Sequence, residues 1–191
     1  MASKNLFAPA LLSLGAVCFV ASPAGAQTPA AATAAGTPAA PVAAASAPPP
    51  VPPARGPAFA EALELARVAL QSCSDRQQRI AVSVLDSAGV HKVLLAADGA
   101  SARGVQSSTN KALTALQFKA ATSALGEQAK SDKALGDQLA ANPALNARAG
   151  GIVLRVGEQI IGAVGVGGAR GSENDEACAL AGLAAVQSRL K

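Results

Sequence analysis

The chain has no tryptophan and no tyrosine, and its only aromatic side chains are four phenylalanines. Stacking platforms for single-stranded nucleic acid need several aromatic planes. A formal net charge of +4 is too small to replace them, so nucleic acid is not an expected partner. One histidine and three cysteines leave too few ligands for a multi-residue zinc site and too few imidazoles for a relay. No Gly-x-Ser-x-Gly string is present, which excludes a hydrolase built on a nucleophile elbow. No Cys-x-x-Cys pair exists, and Asp86 and Asp98 sit in turn-forming strings rather than as a bracketed carboxylate pair. What remains is a chain that is half hydrophobic, much of it alanine, with only 15% charged residues. That balance points to a small binding or scaffold protein more than to a hydrolase.

Residues 1–26 read as a secretory signal. Lys4 precedes a mostly apolar stretch from Leu6 to Val20, and Ala24-Gly25-Ala26 supplies small residues for cleavage before Gln27. The stretch is too short for a membrane span and carries Pro9, so no stable membrane insertion is expected after cleavage. The expected location is therefore periplasmic or secreted. Residues 27–56 are dominated by Ala and Pro and run into Pro48-Pro49-Pro50-Val51-Pro52-Pro53, the composition of a semi-extended tether. One folded domain is expected over residues 57–191.

Within that domain, Phe59, Leu63, Leu65, Ala66, Ala69 and Leu70 recur at helical spacing, predicting a first helix over 57–72. Ile80 to Leu85 and Val90 to Ala97 read as a hairpin about Asp86-Ser87-Ala88-Gly89. A helix follows to Lys119, and another spans 132–141. Then come three short strands, at 145–149, 152–156 and 159–166, the last two joined at Gly157-Glu158. Ser172 opens a last helix with Asp175 as its capping-box partner. The order has no βαβ repeat, which predicts an α+β domain with an antiparallel sheet. Strand alternation leaves Ala163, Gly165 and Gly167 on a nearly bare face with Ile161, and the last helix is equally bare. Close approach of those two elements is expected.

Cys73, at the end of the first helix, and Cys178, in the first turns of the last, are the thiols left after signal removal. They would meet if those helices lie antiparallel on one face, and an oxidising compartment would then bond them; two buried thiols are the alternative. The glycine-rich string from Gly165 to Gly171 lacks the third glycine of a dinucleotide fingerprint and is followed by Glu173, Asp175 and Glu176, so it reads as a packing loop. His91, the lone imidazole, is either a surface residue or the one imidazole available to a metal, haem iron included. Lys111, Thr114 and Phe118 share one face of the middle helix. They either line a pocket for a flat anionic ligand or are core residues with a snorkelling lysine.

The strings SVLDSAGVHKVLLAADGA, KALTALQF, GGIVLRVGEQIIGAVGVGGA and DEACALAGLAA, in that order, closely resemble the GlcG/HbpS-like family of haem-binding, also called haem-degrading, proteins. The resemblance runs from about Phe59 to Leu190. It departs at Ala96-Ala97, where a larger or basic residue is usual, and at Val153, where Pro is common. It implies a profilin-like fold: a five-stranded antiparallel sheet flanked by helices, with the first and last helices packed on one face. It also implies a homo-oligomer and a small-molecule tetrapyrrole as ligand, with haem as the suspected cofactor. On that footing Arg103, Lys111 and Arg170 are candidates for the haem propionates, beside Thr114 and Phe118. His91 or a hydroxyl such as Thr114 is the candidate for the iron. The alternatives are a non-haem binding or assembly module and an oxidative haem-degrading enzyme.

Overall fold

The computed structural model describes residues 53–191; the expected signal and nearly all of the tether lie outside them. The elements are α1 (Phe59–Ser74), β1 (Ala81–Asp86), β2 (His91–Ala96), α2 (Ala102–Phe118), α3 (Thr122–Ser131), α4 (Lys133–Ala141), β3 (Gly151–Val156), β4 (Gln159–Gly167) and α5 (Ser172–Val186). The strands form one antiparallel sheet in the order β2-β1-β4-β3. The domain is α+β, as the element order implies. The sheet has four strands among the described residues, not the expected five. Residues 145–149 are irregular because Asn146 ties them up: its backbone N–H donates to Thr114 Oγ1, and its side-chain oxygen accepts from the Arg148 N–H. Among the described residues no helix is long and apolar enough to cross a membrane.

The two faces of the sheet are packed differently. One carries Val82, Val84, Ile152, Leu154, Val164 and Val166 against Leu65, Ala66 and Ala69 of α1 and Ala179 and Val186 of α5. The other is covered by α2, whose Ala112 and Ala115 meet Leu85 and Ala163. The bare stripe of β4 therefore faces α2, not α5. A Cβ on Gly165 would collide with the Ser108 carbonyl and stand 2.6 Å from the Ala112 nitrogen, and one on Gly167 would lie 2.7 Å from Gly104 O. The small residues of α5 serve a different contact: at Gly182 an added Cβ would meet Leu65 O at 2.5 Å, so α5 sits backbone-close on α1. Ile161 also changes sides. The β3–β4 register shifts between Leu154 and Arg155, opposite Ile161. That shift resets the alternation, and Ile161 joins the α1/α5 core while Ala163 keeps to the α2 side.

α1 and α5 thus share one face, and Cys73 and Cys178 are joined as a disulfide with their Cα atoms 5.7 Å apart. Both cysteines are fully buried. The chain enters the domain at the turn end of the sheet. There the Arg55 N–H donates to Ser87 Oγ, the Ser87 N–H donates to Arg55 O, and the Arg55 guanidinium reaches Gln159. The β1–β4 register pairs Asp86 with Gly162 and Ala81 with Gly167. The glycine-rich loop after Gly167 therefore lies at the far end of the sheet from that entry.

Candidate functional site

A cleft of about 500 Å³ opens at that far end, between the N-terminal parts of α2 and α5, the loop 168–171 and the irregular segment 146–148. Ser101 caps α2 through its side chain, accepting from the Gly104 N–H at 3.0 Å, and so fixes where the helix and Arg103 begin. α5 starts at Ser172, and Gly171 in the capping position before it offers no side-chain cap. The expected capping box does not form because the Asp175 carboxylate turns inward. Its Oδ1 accepts from the Ala169 N–H at 2.9 Å, and its Oδ2 accepts from Lys111 Nζ at 2.7 Å.

Lys111 and Asp175 are the floor of the cleft, with side chains only 2% and 5% exposed. Loss of solvent is the dominant influence on both. It pulls the Lys111 ammonium below the ordinary lysine value and raises the Asp175 carboxyl above its own, while the mutual hydrogen bond and charge attraction oppose each shift. Arg148 pushes Lys111 in the same direction as burial. Glycines make room for the pair: a Cβ on Gly150 (φ +121°) would stand 2.8 Å from Asp175 Cβ and 3.0 Å from Lys111 Nζ.

The walls are polar. Gln106, Ser107, Asn110, Asn146 and Ser172 line them, and nothing aliphatic larger than Ala169 does apart from the Lys111 stem. Arg103 and Arg148 stand at the rim, and neither forms an ion pair among the described residues. Thr122 holds the segment carrying Arg148 in place, donating to Arg148 O at 2.7 Å and accepting from the Gly151 N–H at 2.8 Å.

The structure brings Arg103 and Lys111 to this one cleft. Arg170 lies across the loop, with Arg79 and Asp98 in a second cleft that shares Gly168. Thr114 is fully buried, and its hydroxyl is committed on both sides, donating to Asn110 O and accepting from the Asn146 N–H. Phe118 is half-buried farther along α2, away from the cleft lining. His91 is on β2, its Nε2 3.1 Å from Ser83 Oγ and 3.4 Å from Thr109 Oγ1, and it does not line the cleft either. Sequence reasoning missed Arg148, Asn146 and Asn110. The first two lie in an irregular segment with no periodicity to mark them. It also read Asp175 as a cap, since a carboxylate three residues after a serine has the same spacing in both roles.

The family model of haem degrading proteins that are HbpS-like matches residues 58–184. Among solved structures, a double mutant of HbpS from Streptomyces reticuli is 29% identical with a TM-score of 0.65, the match covering 78% of this chain and 99% of that one. A crystal structure of a PduOC:heme complex is 24% identical with a TM-score of 0.63, over 70% and 96% of the two chains. Klebsiella pneumoniae protein ORFY is 24% identical with a TM-score of 0.66, over 76% and 100%. No curated protein matches the chain.

Proposed function

The chain belongs to the HbpS-like haem-degrading family, and on that premise we propose that its domain is an exported small-ligand-binding module that takes haem or a related tetrapyrrole. The single observation that carries the site is the convergence of Arg103, Arg148 and the buried Lys111 on one open cleft. Guanidinium groups without an ion-pair partner suit the two propionates through charge-assisted, bidentate bonds. Lys111, already paired with Asp175, supports the floor rather than offering a free cation. Arg170, across Gly168, lies with Arg79 in the neighbouring cleft.

The cleft suits only the acidic edge of such a ligand. Haem iron is ordinarily held by His, Cys, Met or Tyr, and none of these lines it. The apolar faces of the macrocycle find no aromatic or large aliphatic wall there, unlike an ordinary buried cofactor site. Recognition therefore falls to the carboxylates of the ligand rather than to its iron. His91, with its hydroxyl neighbours, is a candidate iron ligand only for a tetrapyrrole reaching outside this cleft. The mostly polar lining favours a second reading, a module for a smaller organic acid.

Export belongs to the same proposal: residues 1–26 as signal, 27–56 as tether, 57–191 as the working domain in the periplasm or outside the cell. The Cys73–Cys178 disulfide supports an oxidising location. The profilin-like description and homo-oligomeric assembly are carried over from the family resemblance, the first with support from α1 and α5 sharing one face.

Parallel titrations with haemin and with iron-free protoporphyrin test the reading. Saturable absorbance changes with comparable midpoints for both, weakened at least tenfold in Arg103→Ala and Arg148→Ala, are expected. No change at micromolar haemin would transfer the cleft to the small-acid reading. Loss of the Soret band with reductant and oxygen would replace binding by oxidative breakdown.

A further inference from the structure

We propose that the ε-amino group of Lys111 is a carbonyl-reactive amine and that the cleft above it captures a small 2-oxo acid as an imine. The inference does not depend on tetrapyrrole binding. It rests on what lies at the floor of the cleft and what stands at its rim.

A lysine that reacts with carbonyl compounds needs three things: an unprotonated nitrogen at working pH, a proton carrier beside it, and a seat for the rest of the substrate. The floor supplies a proton carrier in contact with the nitrogen and a buried setting that favours the uncharged amine. Lys111 Nζ is 2.7 Å from Asp175 Oδ2, and among the described residues that oxygen is its one hydrogen-bond acceptor. Both groups are withdrawn from water, and burial drives each toward its neutral form. Moving one proton along their hydrogen bond turns the ion pair into an amine and a carboxylic acid, leaving no formal charge on either buried group. Lys111 is among the residues lining the cleft, and a side chain on the neighbouring Gly150 would begin 3.0 Å from its Nζ.

The rim supplies the seat. Arg103 and Arg148 have no ion-pair partner among the described residues and flank the cleft over Lys111. They match a carboxylate next to the reacting carbonyl, and the Asn110 and Asn146 side chains, also in the lining, add polar groups. A polar space of about 500 Å³ with no large apolar wall selects a small, hydrophilic acid.

The step balances without an oxidant. The Lys111 nitrogen lone pair attacks the keto carbon as the C=O π pair moves to oxygen, which takes the Asp175 proton. The new ammonium returns a proton to Asp175, giving a carbinolamine. Asp175 then protonates the hydroxyl, which departs as water as the nitrogen lone pair closes the C=N bond. The products are a protonated imine facing an Asp175 carboxylate, and one water.

The test treats the full chain with pyruvate or glyoxylate in the presence of cyanoborohydride, followed by intact mass measurement and peptide mapping. The expected result is one stoichiometric adduct on Lys111, formed at least tenfold faster than on any exposed lysine. It should be absent in Lys111→Arg. Arg103→Ala, a rim change that leaves the floor pair in place, should slow labelling by the 2-oxo acids about tenfold while leaving labelling by neutral acetaldehyde unchanged. Arg148→Ala, which also removes a charge that lowers Lys111, should slow both reagents, the 2-oxo acids more. Adducts spread over surface lysines with Lys111 unmodified in the folded protein would overturn the proposal, as would rim variants that slow both reagents equally. Since haemin is absent throughout, failure here is separable from failure of the tetrapyrrole reading.

Discussion

Asp175 Oδ2 and Lys111 Nζ, 64 residues apart in sequence, form a 2.7 Å ion pair that binds the start of α5 to the middle of α2 across the end of the sheet. Removing one member strands the other in a buried place. Asp175→Asn should cost about 3–5 kcal/mol, the usual effect of leaving one charge uncompensated. Replacing both, as Lys111→Met with Asp175→Leu, should cost less than that single change. Chemical denaturation of the three proteins would decide it, and a double variant weaker than Asp175→Asn would contradict this account.

The same variant carries a pH signature. With its partner gone, burial and Arg148 still hold the Lys111 value below that of an unfolded lysine, about 10.4. Between the lowered folded value and that ordinary one, the unfolded chain binds more protons than the native chain. Stability must then rise with pH across that window. The Asp175→Asn thermal midpoint, measured relative to wild type, should therefore climb from neutral pH toward pH 10. A relative midpoint that is flat or falls over this range would show that losing Asp175 does not lower Lys111 any further.

Gly165 and Gly157 make a paired test of the α2 contact. Gly165→Leu should destabilise at or above the upper end of the ~1–3 kcal/mol typical of overpacking, because its first carbon already meets the Ser108 carbonyl. Gly157, at φ +57° with nothing within 4 Å, needs only a residue that accepts the left-handed region. Gly157→Asn should cost less than about 1 kcal/mol. Equal melting shifts for the two would mean that α2 does not press on β4.

These contrasts show how far the sequence could be read. The small residues of β4 announced a backbone-close partner, yet Ser108, Ala112 and Ala115 of α2 are as small as Ala181 and Gly182 of α5. Composition could not say which helix took which face. The hairpin, the three long helices α1, α2 and α5, and the β3–β4 pair were legible because periodicity and turn glycines agree there. α3 was not, since it starts at Ala121 without a side-chain cap and buries only Thr122 and Leu125. Arg103 and Lys111 were legible as cations on α2. Arg148 was hidden, because its position depends on hydrogen bonds accepted by Thr114 and donated by Thr122 that join segments far apart in the chain.

The Cys73–Cys178 bond closes a loop with a sequence separation of 105 residues. Chain-entropy reasoning assigns a loop of that size about 4–5 kcal/mol, before any native-state strain is subtracted. The double Cys→Ser variant should lose most of that amount, and reduced wild-type protein should match it under denaturing titration. Protein recovered from an oxidising compartment should show no free thiol at either position after unfolding. Two alkylatable thiols there would contradict the paired state.

Thr114 separates positioning from ligation. Its hydroxyl is fully buried and links α2 to the segment carrying Arg148, by a 2.8 Å bond from the Asn146 N–H. Thr114→Val keeps the shape but leaves that N–H without its acceptor, a loss of about 1–3 kcal/mol. It also frees the segment that sets Arg148 over the cleft. Affinity for haemin and for iron-free protoporphyrin should fall together in Thr114→Val, because the change acts through the carboxylate-binding rim. Thr114→Ser, which keeps the oxygen, should restore both. A hydroxyl that bound iron would instead give a loss confined to haemin, with a shifted Soret band. That pattern would place the ligand's metal at the buried face of α2 and remove the rim from the account of recognition.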